Sequence, residues 1–296
     1  MKDVINKVRN RHYHESKSRR PRLQKTNNGK RVKMVQKEKL ASDYKDQSRQ
    51  YLNFLEPLAC TDIYPHRIEC AFEALNDWSL FHTLEEVRDW FIQKRIEADM
   101  EVIDIPLNEV KGWYRDENTG NLHHESKEFF VVHGIRVTSS VRESGVGWDQ
   151  PIVEQVGYDG GILGLIRKKF KGVPHYLCEA KMEPGNYGKV QLSPSLQATF
   201  SNLKKAHLGR KPYFSEYFEM PKSYRNFKIL YDAWLAEDGG RLHLKRNKGI
   251  LLEIPENFTI ELPNDNFIWL SLYQIKALLK EDSWINPHIR GILAHV

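Results

Sequence analysis

PHYLCEAKMEPGN, residues 174–186, continued by YGKVQLSPSLQATFSN to residue 202, is the stretch whose reading decides the fold. A strand presents successive side chains on opposite faces. Read as a strand, Tyr176, Cys178, Ala180 and Met182 make an apolar face that belongs to a core. His175, Leu177, Glu179, Lys181 and Glu183 share the other face, and Pro184-Gly185-Asn186 then turns the chain. KVQLS divides in the same way, with Val190 and Leu192 on one side and Gln191 and Ser193 on the other. Two readings fit this alternation: a solvent-facing sheet with Glu–Lys pairs, each worth only about 0–1 kcal/mol, and a ligand-binding surface. The hydroxyl and amide groups that follow favour the second. Ser195 is expected to cap a helix running to Lys205, whose free N–H groups would suit a phosphate. Gln197 and Ser201 would then lie one turn apart near Lys204.

Outward from this segment, short apolar runs broken by Gly and Pro read as strands. They are EVIDIPL (101–107), EFFVVHGIRVTS (128–139), PIVEQVG (151–157), GILGLIRKKF (161–170), PYFSEYFEM (212–220) and GILLEIP (249–255). The GYDGGILG stretch (157–164) lacks a GK[ST] ending and reads as a turn between strands, not as a phosphate loop. Residues 50–99 read as helical. Their clearest piece follows Thr83, an N-cap with Glu86 three residues on, and places Leu84, Val87, Phe91 and Ile96 on an approximate apolar face. Two helices close the chain: Leu272, Ile275 and Leu279 mark the first, and Asn286-Pro287 starts the second. Strands flanked by helices at both ends give an α+β domain with a mixed sheet.

The charge is uneven. Residues 1–50 hold 16 Lys+Arg and 5 Asp+Glu, so the net +6 of the chain conceals a basic start and an acidic remainder. Residues 1–49 are expected to be a disordered basic tail, because KSRRPRLQKTNNGKRVK (17–33) has too little apolar surface to offset its ordering. A solvated tail and a contact with nucleic acid or an anionic surface both fit that composition. His12, His14 and Glu15 in such a tail are not read as a metal set. Residues 50–296 are expected to be one domain with a helical lead-in. No apolar run reaches the roughly 18–20 residues of a membrane span, and the N-terminus has no apolar stretch of signal type. Three cysteines without CxxC spacing fit a reducing compartment. Together these predict a cytoplasmic protein.

The runs WDQPIVEQ, GYDGGILGLI, GVPHYLCEAKMEPGNYGKVQLSPSLQATFSN and HLGRKPYFSEYF closely resemble the NDP-hexose 2,3-dehydratases. The resemblance extends from about Trp78 to the C-terminus and is densest over Trp148–Phe218. It implies a Nudix-like fold and a dTDP-linked 4-keto-6-deoxyhexose substrate. The Glu-rich REUxEE helix of Nudix hydrolases is missing, since the only adjacent Glu pair is Glu85-Glu86. The resemblance therefore implies elimination without metal or other cofactor, leaving the sugar nucleotide intact. A base would take the carbon-3 proton, made acidic by the carbon-4 ketone, and the carbon-2 hydroxyl would leave. Tautomerisation gives a 3,4-diketo product for a downstream ketoreductase.

Within that chemistry Glu183 is the candidate base, and Lys181 either stabilises the enolate or, if burial lowers its pKa, acts as the base itself, with Glu179 orienting it. His207 and Tyr213 are candidate acids. Gln191, Ser193, Gln197, Ser201, Asn202 and Asn186 would hold sugar hydroxyls or phosphates. Arg136 and Arg210 would hold the diphosphate, and Trp148 with Gln150 would contact the nucleotide. Family members usually carry two copies of this module, whereas LSPSLQ occurs once here. A homodimer is the expected replacement for the fused pair. The alternative is a non-catalytic sugar-nucleotide-binding module or partner subunit.

Overall fold

Val173–Met182 is indeed a strand, and both of its faces are buried where it begins. The computed structural model describes residues 27–58, 65–138, 147–156, 160–203, 211–224 and 226–296. It contains two units, Met1–Lys39 and Leu40–Val296.

Helices α1 (Asn27–Leu55), α2 (Pro65–Glu73) and α3 (Leu84–Glu97) come first. The small strands β1 (Trp113–Arg115) and β2 (Leu122–His124) lead into β3 (Phe130–Val137) and β4 (Trp148–Gln155). These four make an antiparallel sheet in sequential order. A larger sheet contains β5 (Ile162–Phe170), β6 (Val173–Met182), β7 (Val190–Pro194), β8 (Leu196–Ala198), β9 (Lys228–Ala236), β10 (Arg246–Ile254) and β11 (Phe267–Leu270). Its order is β11-β6-β5-β10-β9, with β7 beside β6 and β8 beside β5; β5 and β10 run parallel and the other neighbours antiparallel. Short helices α4 (Phe200–Leu203) and α5 (Ser215–Glu219) precede β9, and α6 (Leu272–Leu278) and α7 (Pro287–Leu293) end the chain. The α+β expectation, a mixed sheet with flanking helices, holds.

Strand alternation sorts β6 between two cores. Tyr176, Cys178 and Ala180 pack with Val190, Leu192, Val87, Phe91 and the apolar sides of α6 and α7. Leu177 points into the opposite core with Ile166, Leu196, Leu252, Phe214 and Phe218. His175 does not reach solvent. Its Nε2 accepts the Leu80 N–H at 3.0 Å and its Nδ1 lies 3.1 Å from the Val173 carbonyl, so it is a satisfied core histidine. The predicted capping box of α3 is present in full, with Thr83 and Glu86 exchanging side-chain and backbone bonds. Glu86 of the Glu pair is used there. Ile96, placed on the apolar face of that helix by sequence, is exposed.

Several expectations are corrected. The proposed tail boundary at residue 49 gives way to a helix starting at Asn27, and residues 1–26 lie outside the described residues. Ala41 and Tyr44, three apart on one helix face, are buried against Phe72 and Trp78. EVIDIPL forms no strand: Val102, Ile103, Ile105 and Leu107 are all exposed, and residues 101–106 are irregular. PYFSEYFEM is helical over its centre because Phe214 and Phe218, four apart, both reach one core.

The helix from Ser195 to Lys205 is replaced by strand β8, with only Phe200–Leu203 helical among described residues. Ser195 has a different task. Strand β5 pairs with β6 from Ile166↔Leu177 onward and with β8 from Gly164↔Leu196 back. At that fork the Ser195 hydroxyl accepts the Ile166 N–H at 2.9 Å and donates to the Leu177 carbonyl. Ser195→Ala would orphan both groups in a dry core. It is expected to cost about 1–3 kcal/mol, read as a lower urea midpoint at unchanged slope.

A buried ion cluster joins the helices to the large sheet. Arg167 on β5 is 1% exposed and its guanidinium meets Glu69 at 2.6 Å, Glu73 at 2.7 Å and Glu253. Tyr176 donates its hydroxyl to Glu73 at 2.9 Å, and Lys169 pairs with Glu69 at 2.7 Å. Burial alone would raise the Glu69 carboxyl, but Arg167 and Lys169 outweigh it and hold that carboxyl below its ordinary value.

Candidate active site

As β6 leaves the core its outer face becomes ionic. Glu179 Oε2 lies 3.4 Å from Lys181 Nζ, and burial raises the Glu179 carboxyl despite that cation. The turn after the strand is tied by Asn186, whose Nδ2 donates to the Lys181 carbonyl at 3.2 Å. Asn186 therefore shapes the turn. Glu183 ends the segment and accepts from Gln197 Nε2 at 2.8 Å. Gln197, expected on a helix, instead reaches this site from β8.

Asn286 closes the group from the other side. It caps α7 by accepting the Ile289 N–H at 3.1 Å, and its Nδ2 meets Ser193 Oγ at 2.7 Å and Gln197 Oε1 at 3.0 Å. A chain Ser193–Asn286–Gln197–Glu183 thus links β7, β8, the β6 turn and α7. Two residues into α7 stands His288. Its Nδ1 is 3.5 Å from Glu237 Oε1, at the end of β9. Burial pushes the His288 imidazolium down; Glu237 and Glu183 oppose this, and Lys245 and Lys181 reinforce it. The net effect favours the neutral imidazole.

The neck of the β9–β10 hairpin completes the arrangement. Lys245 bonds Gln155 at the end of β4, and its ammonium is lowered by burial against the pull of Glu237. Buried Asn247 donates to Glu237 and accepts the Gly161 N–H at 2.7 Å. Gly160 and Gly161 are needed here for close approach: a Cβ at either would stand 2.0 or 2.2 Å from a backbone carbonyl oxygen of Arg246 or Ala198. Of the stretch read as a turn, residues 157–159 lie outside the described residues and Ile162–Gly164 already belong to β5. The result is a patch of Lys181, Glu183, Glu237, Lys245 and His288 with amides at its edge. It offers one imidazole, two carboxylates and two ammonium groups.

Other sequence candidates lie apart from it. Arg136 is exposed on the smaller sheet, where it bonds Asp149 twice at 2.9 and 2.8 Å beside a cavity of about 470 Å³. Trp148 donates to Gln150, which donates to the Gly240 carbonyl. Gln191 turns to the Ser283 carbonyl at 3.1 Å. Tyr213 stands edge-on to Phe267 in a groove of about 580 Å³, whose lining shares no residue with the patch. Asn202 is on α4, its backbone N–H on Thr199 Oγ1. His207, Arg210 and the Ser201 side chain lie outside the described residues. Sequence reading missed Glu237, Lys245, Asn247 and His288. Only His288 carried a signal, its place directly after the Asn286-Pro287 helix start.

Residues 84–296 match the model of the family described as NDP-hexose 2,3-dehydratase. The chain belongs to this family. It is 38% identical over 214 residues to a dTDP-4-dehydro-6-deoxy-α-D-glucopyranose 2,3-dehydratase of Amycolatopsis orientalis, a match covering 71% of this chain and 44% of the relative. A relative of the same description from Streptomyces violaceoruber is 35% identical, over 69% of this chain and 44% of its own. This dehydratase-family chain thus spans about half the length of the curated relatives it matches. Among solved structures, an ADP compounds hydrolase superposes with TM-score 0.31 at 13% identity, over 56% of this chain and 82% of that one. An Ap4A hydrolase of C. elegans gives TM-score 0.26 at 14% identity, over 45% and 92%. Superpositions this loose carry no argument about the fold. All of the patch residues lie within the family match. No described helix is long and apolar enough to cross a membrane.

Proposed function

We propose that this chain removes water from a dTDP-linked 4-keto-6-deoxyhexose by 2,3-elimination. The observation that carries the reading is the placement of His288, its Nδ1 3.5 Å from Glu237 Oε1 and within the electrostatic reach of Lys181 and Glu183, with burial favouring its neutral form. A neutral imidazole takes the carbon-3 proton. The carboxylates of Glu183 and Glu237 then stabilise the imidazolium. This moves the base from Glu183, the sequence candidate, to His288, and makes Glu183 its electrostatic partner. Lys181 faces the enolate oxygen. Lys245, whose lowered ammonium is a stronger acid than an ordinary lysine, protonates the departing carbon-2 hydroxide. Gln197 supplies hydrogen bonds at the edge, and the buried Ser193 and Asn286 hold it in place. The 2-ene-3-ol that forms takes a proton at carbon 2 and becomes the 3,4-diketone, which a separate ketoreductase would consume.

The pH dependence follows from the sign of the shift. Burial lowers the His288 value beneath the ordinary 6.5. The active neutral form persists down to that lowered value and is lost as pH falls through it. kcat/KM is expected to show an acid limb below pH 6.5, and His288→Gln to remove the limb along with most of the rate. A limb unchanged in the variant would place the base elsewhere.

We further propose that the active species is a dimer of this chain. Light scattering would give twice the chain mass for the active species; a fully active monomer would exclude it. The second reading is a binding module that holds the sugar nucleotide without turnover. Incubating the chain with the ketosugar nucleotide and weighing the product distinguishes them: loss of one water supports the enzyme, and binding without mass change supports the module. Contact of the basic N-terminal residues with nucleic acid would appear as salt-sensitive binding lost on deleting residues 1–45.

A further inference from the structure

The geometry points to a divalent transition-metal site, with zinc as its occupant, formed by His133, Glu154 and His243. Their ligand atoms all lie within 4.8 Å of one another. Glu154 Oε2 is 3.0 Å from His133 Nε2 and 3.7 Å from His243 Nδ1. Ligands held at about 2.0–2.1 Å in a tetrahedral zinc shell stand ~3.3 Å apart, so these separations bracket what one ion requires. Both ring nitrogens are buried and neither makes a hydrogen bond. A buried nitrogen without a hydrogen bond is costly unless something else takes its lone pair. The other ring nitrogen of His133 lies 3.3 Å from the Gly134 carbonyl. Donation there fixes the tautomer that leaves the Nε2 lone pair free, the usual orientation of a metal-bound imidazole. Two imidazoles and a carboxylate suit zinc, and half-exposed Glu154 leaves an open coordination position to solvent.

The placement suggests what the ion does. His133 and Glu154 come from β3 and β4 of the smaller sheet, and His243 from the loop between β9 and β10 of the larger. That loop already touches β4, with the His243 N–H on the Val153 carbonyl at 2.8 Å and the Val153 N–H on the Arg241 carbonyl at 3.0 Å. Zinc would clamp the two sheets at this seam. Alternation along β4 sends Glu154 to the metal side and Gln155 to the other, where it holds Lys245. His243 and Lys245 likewise belong to one short segment. The clamp therefore fixes the backbone that presents Lys245 to the patch. It does not depend on the dehydratase reading.

The test uses the full chain after chelator treatment, with Co2+ as the optical probe and Zn2+ measured by elemental analysis. One equivalent of Zn2+, visible d–d bands of four- or five-coordinate Co2+, and a Tm raised by Zn2+ are expected. His133→Ala and His243→Ala should each weaken Co2+ binding by at least about 100-fold and abolish the Tm rise. Glu154→Gln, nearly isosteric, keeps the test valid if a histidine variant fails to fold. His288→Gln should bind as the unmodified chain does. No stoichiometric binding, or binding retained in the triad variants, would overturn the proposal. Transfer of the loss to His288→Gln would overturn it equally, placing the ion at the other patch.

Discussion

Replacing His288 by Gln is expected to lower kcat on the dTDP-linked ketosugar by about 10²–10⁴-fold, with the circular dichroism spectrum unchanged. Gln keeps the size and polarity of the position, and α7 is capped independently by Asn286. What it cannot do is accept the carbon-3 proton and carry the charge between Glu183 and Glu237. Lys245→Met should act on the same reaction from the leaving-group side. If Lys245 is the acid, a substrate carrying a better leaving group at carbon 2 should recover rate in Lys245→Met and not in His288→Gln. Equal recovery in both variants would show that the two roles have been assigned wrongly.

Arg167→Met is expected to destabilise the fold by about 3–5 kcal/mol, measured by denaturant midpoint at neutral pH. Glu69, Glu73 and Glu253 would remain around the vacated position without their shared cation. The pH dependence separates this from simple loss of packing. In the unaltered chain Glu69 has a lowered value, so its contribution is present above the unfolded carboxyl pKa and is lost as pH falls through the folded one. Without Arg167 burial raises these carboxyls, the folded state binds more protons than the unfolded, and the variant gains stability on mild acidification. Parallel pH profiles for the two proteins would mean that the guanidinium contributes packing alone.

Much of this arrangement was legible before the structure. β6 was readable because its apolar alternation is unbroken from Tyr176 to Met182, and α3 and α7 because Thr83 and Asn286 are strong caps. Lys181, Glu183, Ser193 and Glu179 could be grouped from sequence because local alternation carries them to one strand end and its neighbour, whereas Gln197 was expected on a helix and arrives from β8. What was hidden depended on long-range pairing. The β9–β10 hairpin supplies Glu237, Lys245 and Asn247, and no local pattern shows that β10 lies parallel to β5. Ser195 was misplaced for a similar reason. Its side chain satisfies a sheet fork that exists only once β5 exchanges one partner for another, while by local rules a serine before an apolar residue looks like a cap. His133, Glu154 and His243 were invisible together, because two sheets must meet before the three side chains converge.

Water elimination by this chain itself is tested by one reaction. The purified full chain is incubated with dTDP-4-keto-6-deoxyglucose in D2O, and the product is returned to H2O and weighed. The predicted product has lost one water and carries a single deuterium at carbon 2, delivered when the enol becomes the ketone. Substrate bound and released at its original mass, with no deuterium at carbon 3, would contradict it.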